Sequence, residues 1–369
     1  MKALFVANSV DGGARAGQVE TASGFFQTPC FMPVGTRGAV RHLSSEDLDN
    51  LGAEVILGNT YHLMLRPGVG VIRDSGGLAA FTGWKGQTLT DSGGYQIFSL
   101  KPLVDDSGAE FRSIYDGSVH LLTPESAVDI QAELGADIQM ALDVCPALPA
   151  SDSVLRLAVK RTTDWAQRAR ETFLNHPEAV NRQSQFGIVQ GGVSPGLRAE
   201  SAERIISVGF DGYAVGGLSV GESRNEMLDA LEVVTKVLPH DQPRYFMGLG
   251  DPVGLVEVVA RGVDMFDCVL PTRYARHGTV LTSTGKLNLR NNRFATDDRP
   301  LDPEFSASPA FHWSRAYLRH LLLVNEPTAA RLLTLHNLAW LFDFVARLRE
   351  AITAGHFSTF KADTLKVWS

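Results

Sequence analysis

Short apolar runs ending in glycine or polar residues recur along the chain. They are FMPVGT from Phe31, EVILGNT from Glu54, TLTDSGG from Thr88 and ADIQMALDV from Ala136. QFGIVQGG from Gln185, GFDGYAVGG from Gly209, PRYFMGLG from Pro243 and MFDCVLPT from Met265 follow. Such runs read as strands buried on both faces of a parallel sheet. Helical segments with shared punctuation lie between several of them. Thr123-Pro124 opens one, Ala127, Ile130 and Leu134 share a face, and Gly135 closes it. Ser194-Pro195 to Gly209 and Asp251-Pro252 to Gly262 repeat the pattern. In each, a capping side chain precedes a proline at the first helical position and a glycine follows the last turn. About eight strand-helix units predict an α/β fold, a (β/α)8 TIM barrel rather than a doubly wound sheet. Residues 1 to about 25 alternate and carry Gly12-Gly13, which predicts a small N-terminal antiparallel addition. An insertion from about 274 to 340 follows the eighth strand, before a closing helix around Leu338 to Ala354. No linker divides the chain, so residues 1–369 are read as one barrel domain carrying the 274–340 insertion.

Composition narrows the class. A content of 44% hydrophobic and 20% charged residues is that of a globular chain. No apolar run reaches the roughly 20 residues a membrane span needs. The opening MKALFVANSVDGG has too short an apolar stretch for a secretory signal and no small-residue cleavage site. Cys30, Cys145 and Cys268 are few, odd in number and far apart, which points to a reducing cytoplasm rather than a disulfide framework. A net charge of −7 argues mildly against nucleic acid as partner. Yet Arg273 to Arg299 holds six Lys/Arg and two Asp, a locally basic segment on an acidic protein. On charge alone, a solvated surface explains it as well as a ligand does.

A barrel of this kind carries its chemistry where the strands end. Asn59, Asp91, Asp143, Gln190, Gly217, Gly250 and Asp267 stand there. One strand-end aspartate is ordinarily a cap or turn former. Three aspartates in three apolar runs shift the balance toward a site. No His-x-His occurs at a strand end, which disfavours a metal-dependent hydrolase.

Thr90-Asp91-Ser92-Gly93-Gly94-Tyr95-Gln96, Gly187-Ile188-Val189-Gln190-Gly191, Gly212 to Leu218 and Met265 to Arg273 resemble bacterial tRNA-guanine transglycosylases. The likeness continues through Ser314-Arg315-Ala316-Tyr317-Leu318 and His336-Asn337-Leu338. It implies exchange of the wobble guanine of tRNA for a 7-deazaguanine base by double displacement. Asp267 matches the nucleophile and Asp91 the general acid/base. A non-catalytic subunit would have no reason to keep both. Asp143 and Gln190, with the Gly217 backbone, match the residues that hydrogen-bond the base edge, and Leu218 belongs with them. Tyr95 and Met247 match the pair that sandwich the ring, and Asn59 a residue that steadies the aspartates. Arg273 and Arg276 match readers of the neighbouring anticodon nucleotide. Lys286, Arg290 and Arg293 suit sugar-phosphate contacts. The resemblance also implies a homodimer. The motifs leave open a DNA substrate or an unusual tRNA.

Three departures follow. The family's structural zinc is held by three cysteines and a histidine, but the cysteine positions read Phe305, Ala307 and Ala310, leaving only His336. One histidine does not hold a structural zinc, so no metal or other cofactor is expected. Instead Phe305, Phe311 and Trp313 are expected to form a hydrophobic cluster, stiffened by Pro309, with His336 beside it or bonded to backbone. Asp143-Val144-Cys145-Pro146 lacks the glutamate usual after the aspartate. Leu218-Ser219-Val220-Gly221-Glu222 mixes features of two branches of the family. Cys145 and Val220 favour the small aminomethyl-deazaguanine precursor over queuine, and the altered neighbours keep queuine open.

Overall fold

A computed structural model describes residues 4–100 and 102–369. Residues 1–3, the start of the predicted N-terminal addition and of the stretch read for a signal, lie outside the described residues. Eight parallel strands close into a barrel. They are β1 Cys30–Gly35, β2 Val55–Gly58, β3 Gln87–Thr90 and β4 Ile138–Met140, then β5 Ser184–Val189, β6 Gly212–Val215, β7 Arg244–Phe246 and β8 Met265–Cys268. Each pairs with its sequence neighbours, and β8 pairs with β1 to close the ring. All eight runs read from the sequence are these strands.

The period-two alternation of a strand decides what the barrel holds. Met32, Leu57, Leu89, Met140, Ile188, Ala214, Tyr245 and Met265 point inward and form one buried cluster. Phe31, Ile56, Val189, Tyr213, Phe246 and Phe266 point outward into the larger core packed against the helices. Two residues beyond Leu57, Leu89, Ile188, Tyr245 and Met265 come Asn59, Asp91, Gln190, Met247 and Asp267. The same parity that packs the interior therefore aims these side chains into the mouth.

The expected helix punctuation is present in α1 Pro124–Leu134, α2 Pro195–Val208 and α3 Pro252–Val259. Thr123, Ser194 and Asp251 cap their first turns, and Gly135 and Gly209 close the first two in left-handed conformation. The N-terminal addition is a three-stranded antiparallel meander, Leu4–Asp11, Ala14–Thr21 and Gly24–Thr28. Its Phe5, Val19 and Phe26 join the interior cluster of the barrel.

Two features differ from expectation. The closing helix, α6, runs Pro327–Thr353, beginning well before Leu338, because Glu326 caps it and Pro327 takes the first position. A second small sheet, Leu103–Val104, Ala109–Arg112 and Val119–Leu122, lies between β3 and α1 and was not anticipated. Its strands are two to four residues long, too short for a clear alternation. Among the described residues no helix is long and apolar enough to cross a membrane.

A buried ion pair ties the meander to the barrel floor. Arg15 donates from Nε to Asp264 Oδ1 (2.8 Å) and from Nη2 to Asp264 Oδ2 (2.6 Å). It also donates to the carbonyls of His240 and Gln242. Removing one partner of such a pair leaves an uncompensated buried charge. Arg15→Met should lower the unfolding free energy in urea by about 3–5 kcal/mol, and adding Asp264→Leu should recover part of the loss. A single variant within about 1 kcal/mol of wild type would show that the pair is not a strut.

Candidate active site at the mouth of the barrel

One cavity at the C-terminal ends of the strands is lined by Asn59, Asp91, Tyr95, Asp143, Gln190, Gly217, Leu218, Met247 and Asp267. All nine residues expected to act on the base thus meet in one place. Cys145 and Val220 also line it.

Asp91 follows β3, and its carboxylate is held by three donors. Asn59 Nδ2 donates to Oδ2 at 2.6 Å, while the amides of Thr60 (2.9 Å) and Gly93 (3.1 Å) donate to Oδ1. Gly93 turns back through a φ of 81°, left-handed and suited to glycine, and this delivers its amide to Asp91. The same turn starts the short helix Gly94–Ser99, which carries Tyr95, 62% exposed, to the rim.

Asp267 lies in β8. Tyr245 Oη donates to its Oδ1 at 2.6 Å and the Gly248 amide to the same oxygen at 2.9 Å. Oδ2 takes no hydrogen bond from the described residues. Tyr245 is buried, and burial first, then the Asp267 charge, keeps its phenol protonated and donating.

Asp143 is inward by a break in phase. After Met140 both Ala141 and Leu142 face outward, into different clusters, and Asp143 turns in. Gln190 Nε2 donates to Asp143 Oδ2 at 2.6 Å, and the buried Gln190 Oε1 has no partner. This pair presents acceptors and donors side by side, as the edge of a guanine-like base requires.

The electrostatics separate the three carboxyls. Burial raises Asp91 to about 7, with repulsion from Asp267 and Asp143 adding to it against the amides of Thr60 and Gly93. Burial raises Asp143 to about 6, opposed by the Gln190 hydrogen bond. Burial also raises Asp267, opposed by the hydrogen bonds of Tyr245 and Gly248. The mutual repulsion thus falls on Asp91, which is the group poised to carry a proton near neutrality.

The loop after β6 is strained. Ser219 adopts a φ of 60°, and Glu222 holds the turn by accepting from the Ser219 amide and, at 3.1 Å, from that of Val220. Non-glycine residues in this region cost free energy and cluster where a site needs a fixed shape.

Arg273 and Arg276 lie on α4, Leu270–Arg276, immediately after Asp267 and outside the cavity. Lys286 and Arg290 are exposed on the hairpin that follows, with Lys286 Nζ 5.6 Å from the Tyr274 ring centre. Among the described residues none of Arg273, Arg276, Lys286, Arg290 and Arg293 forms an ion pair with an acid. Arg41 adds to this positive edge: it and Arg273 both press on Arg276, whose guanidinium is depressed by burial first. Sequence reasoning missed Arg41, Tyr245 and Gly248. A strand tyrosine reads as core, and only the folded register shows its hydroxyl meeting Asp267.

The insertion was expected to lack zinc ligands, and its folded residues do not fit that ion. Phe305 and Ala310 are buried in the core, and among the described residues no group of three or more His, Cys, Asp or Glu is placed to hold a metal. His336 is fully buried. Its Nδ1 is 2.8 Å from Ser308 Oγ and its Nε2 is 2.8 Å from the Leu281 carbonyl. A carbonyl only accepts, so Nε2 carries the hydrogen and Ser308 donates to Nδ1. Phe305 packs edge-on at 6.0 Å. Phe311 is half-buried and Trp313 is 37% exposed, so the cluster is smaller than expected. Ser314 caps α5, Arg315–Leu323, directly after Trp313, which leaves that indole on the outer side of the turn.

A closed parallel barrel with titratable groups gathered at its C-terminal mouth is an enzyme of the (β/α)8 class. The family model described as queuine tRNA-ribosyltransferase matches residues 11–369. The chain is 50% identical over 355 residues to a queuine tRNA-ribosyltransferase of Solidesulfovibrio magneticus, covering 96% of this chain and 94% of that one. It is 48% identical over 360 residues to that of Oleidesulfovibrio alaskensis, covering 97% and 95%. It is 49% identical over 355 residues to that of Caldanaerobacter subterraneus subsp. tengcongensis, covering 96% and 94%. The chain belongs to the queuine tRNA-ribosyltransferase family, and its class of enzyme is the pentosyltransferase.

Proposed function

We propose that this enzyme exchanges the wobble guanine of tRNA for a 7-deazaguanine base in queuosine formation, through a covalent aspartate-ribose intermediate. The observation that carries this reading is the meeting of Asp91, Asp143, Gln190 and Asp267 in one cavity with their proton affinities set apart. Asp267 Oδ2 attacks the ribose C1′, and the C1′–N9 bond breaks with its electron pair on the departing guanine. Asp91 gives that guanine a proton. The incoming base then attacks C1′ through N9, Asp91 takes its proton, and the C1′–Oδ2 bond breaks. Two inversions leave the configuration at C1′ unchanged. Asp143 and Gln190 bind the base edge, Tyr95 and Met247 take its faces, and Asn59 holds Asp91. The target base leaves its stack to enter so enclosed a site.

Arg273 and Arg276 read the neighbouring nucleotide, and Lys286 and Arg290 hold the backbone, since their charges are unspent on acids. Cys145 and Val220 at the cavity wall favour the small aminomethyl-deazaguanine precursor. The enzyme works in the cytoplasm, where tRNA is its partner. Exposed Trp313, Tyr317, Leu323 and Val324 on the insertion support a homodimer.

Asp267→Asn should abolish the protein-RNA adduct seen on a denaturing gel and the incorporation of labelled guanine into tRNA. Guanine exchange by that variant at a near wild-type rate would overturn the nucleophile.

The pH dependence follows from Asp91. Guanine departs with a proton from Asp91, which holds it below about 7 and loses it above. Single-turnover adduct formation should therefore slow as pH rises through about 7, and slow on the acid side as Asp267 becomes protonated. A rate that climbs steadily from pH 6 to 9 would contradict a protonated Asp91 in this step.

We further propose that the insertion folds without metal, the Ser308–His336–Leu281 bridge and the burial of Phe305 standing where ligands would be. A structural zinc contributes on the order of 10 kcal/mol to a small metal domain. Burial of one phenylalanine offers about 1.5–3 kcal/mol, so contacts of Ala310, Leu301 and α6 must share the task. Untagged protein should contain no stoichiometric zinc, and its melting temperature should not move with a strong chelator. Either stoichiometric zinc or chelator-induced unfolding would show that other ligands hold a metal.

A further inference from the structure

Behind the wall of the cavity formed by the loop after β6 lies Arg198, on α2. Its side chain is fully buried, and it faces no carboxylate within ion-pair distance among the described residues. Its guanidinium donates instead to four main-chain carbonyls: from Nε to Gly192 (2.7 Å), from Nη1 to Val189 (2.9 Å) and Gly216 (2.8 Å), and from Nη2 to Gly217 (3.2 Å). A buried cation without a counter-ion is costly, and a rigid fork of donors with every arm on a carbonyl is what offsets it. Burial lowers the group only to about 10, so it stays charged at neutral pH.

The placement of those carbonyls has a geometric consequence. A trans peptide unit is planar, with its C=O and N–H pointing in opposite directions. The Gly216 and Gly217 carbonyls point at Arg198, so the amides that share their peptide units, those of Gly217 and Leu218, point away from it. Arg198 is absent from the cavity lining whereas Gly216, Gly217 and Leu218 are part of it. Away from Arg198 is therefore into the cavity. Gly217 has a φ of 64°, which turns two successive peptide units the same way. A side chain there would also collide with Gln190 Oε1. The Gly217 amide faces the Cys145 thiol, itself part of the cavity wall, and the Leu218 amide donates to no described group, though both residues are buried. A sulfur is a weak acceptor, and two successive buried amides turned the same way form a concavity for a stronger electronegative atom.

We propose that Arg198 is a positioning residue that aims the Gly217 and Leu218 amides at the exocyclic oxygen of the bound purine. This rests on the base-exchange reading above and adds the group that shapes the oxygen site from behind. The same helix face holds the neighbouring wall, since Ser201, one turn along, accepts from the Gln190 amide at 3.0 Å. One face of α2 thus sets both the amide pair and the backbone that carries Gln190.

The test compares free guanine with 6-thioguanine, which keeps the ring and its N1–H but replaces the oxygen with a weaker acceptor. Both are assayed by exchange into tRNA with wild type, Arg198→Met and Arg198→Lys, after melting curves have shown which variants fold. Arg198→Met should raise the KM for guanine by about tenfold, the scale of one well-placed hydrogen bond. The KM for tRNA should change much less. The wild-type preference for guanine over 6-thioguanine should shrink by a similar factor, a coupling that general loosening of the fold would not produce. Arg198→Lys, with one ammonium unable to span both loops, should fall between. If the methionine variant does not fold, the lysine variant decides. A folded variant with the wild-type guanine KM and an undiminished preference for oxygen over sulfur overturns the role of Arg198. Failure of the wild type to exchange guanine at all would instead strike the base-exchange reading.

Discussion

Three carboxyls share one low-dielectric mouth, and much of the surrounding structure serves to keep them there. Like charges at close range in a dry cavity cannot all be ionised without large cost. The protein meets this by unequal support. Asp267 receives Tyr245 and Gly248 on a single oxygen, Asp143 receives Gln190, and Asp91 receives Asn59, Thr60 and Gly93 yet bears the repulsion of both others. The result is one group that titrates near neutrality beside one that is offered as an anion. Those are the two states the proposed double displacement needs in the same moment.

That support is built from the ordinary parts of a barrel. Tyr245 is an inward core residue of β7, and its hydroxyl reaches Asp267, so core packing and the candidate site meet in one side chain. Arg198 and Ser201 belong to an outer helix, yet they fix the loops after β5 and β6 from behind. A mouth made of eight loops is free to vary, but each loop needs an anchor in the rigid layer below it. Here the anchors are a phenol, a guanidinium and a hydroxyl. Their cost in burial is offset by saturating their hydrogen bonds.

Much of this was legible in the chain because the barrel repeats a period. Apolar runs of fixed parity mark the strands, and a polar residue two places past the last inward one marks the mouth, as with Leu57 to Asn59 or Met265 to Asp267. Asp143 breaks that parity, and it was legible only as a polar end to the apolar run from Ala136, with its part at the base edge implied by motif likeness. Arg198 was not legible, since an arginine at one turn of an amphipathic helix reads as a surface charge. Its burial depends on carbonyls as far as 19 residues away. Arg41 was missed for the same reason: its neighbour Arg276 lies across the closure of the barrel. The short sheet after β3 has strands too brief to show alternation, and the early start of α6 was masked by expecting the insertion to run to 340.

The insertion shows a different solution to a problem of order. A metal knot fixes chain segments by strong bonds to few atoms, whereas a packed cluster must use many weak contacts. The segment from Leu301 to Ala310 is pinned by both polar and apolar means. Ser308 meets His336, which meets Leu281; Arg315 donates to the Leu301 carbonyl; Asp302 accepts from Ser283. Phe305, Leu301 and Ala310 join the main core directly. The histidine, fixed as the tautomer with hydrogen on Nε2, links the insertion's loop to its hairpin and both to α6. Burial holds its pKa near 4, so it remains neutral across the physiological range and the bridge does not switch. The histidine serves as a fixed hydrogen-bond relay, and the insertion packs beside the helix that carries Arg273 and Arg276.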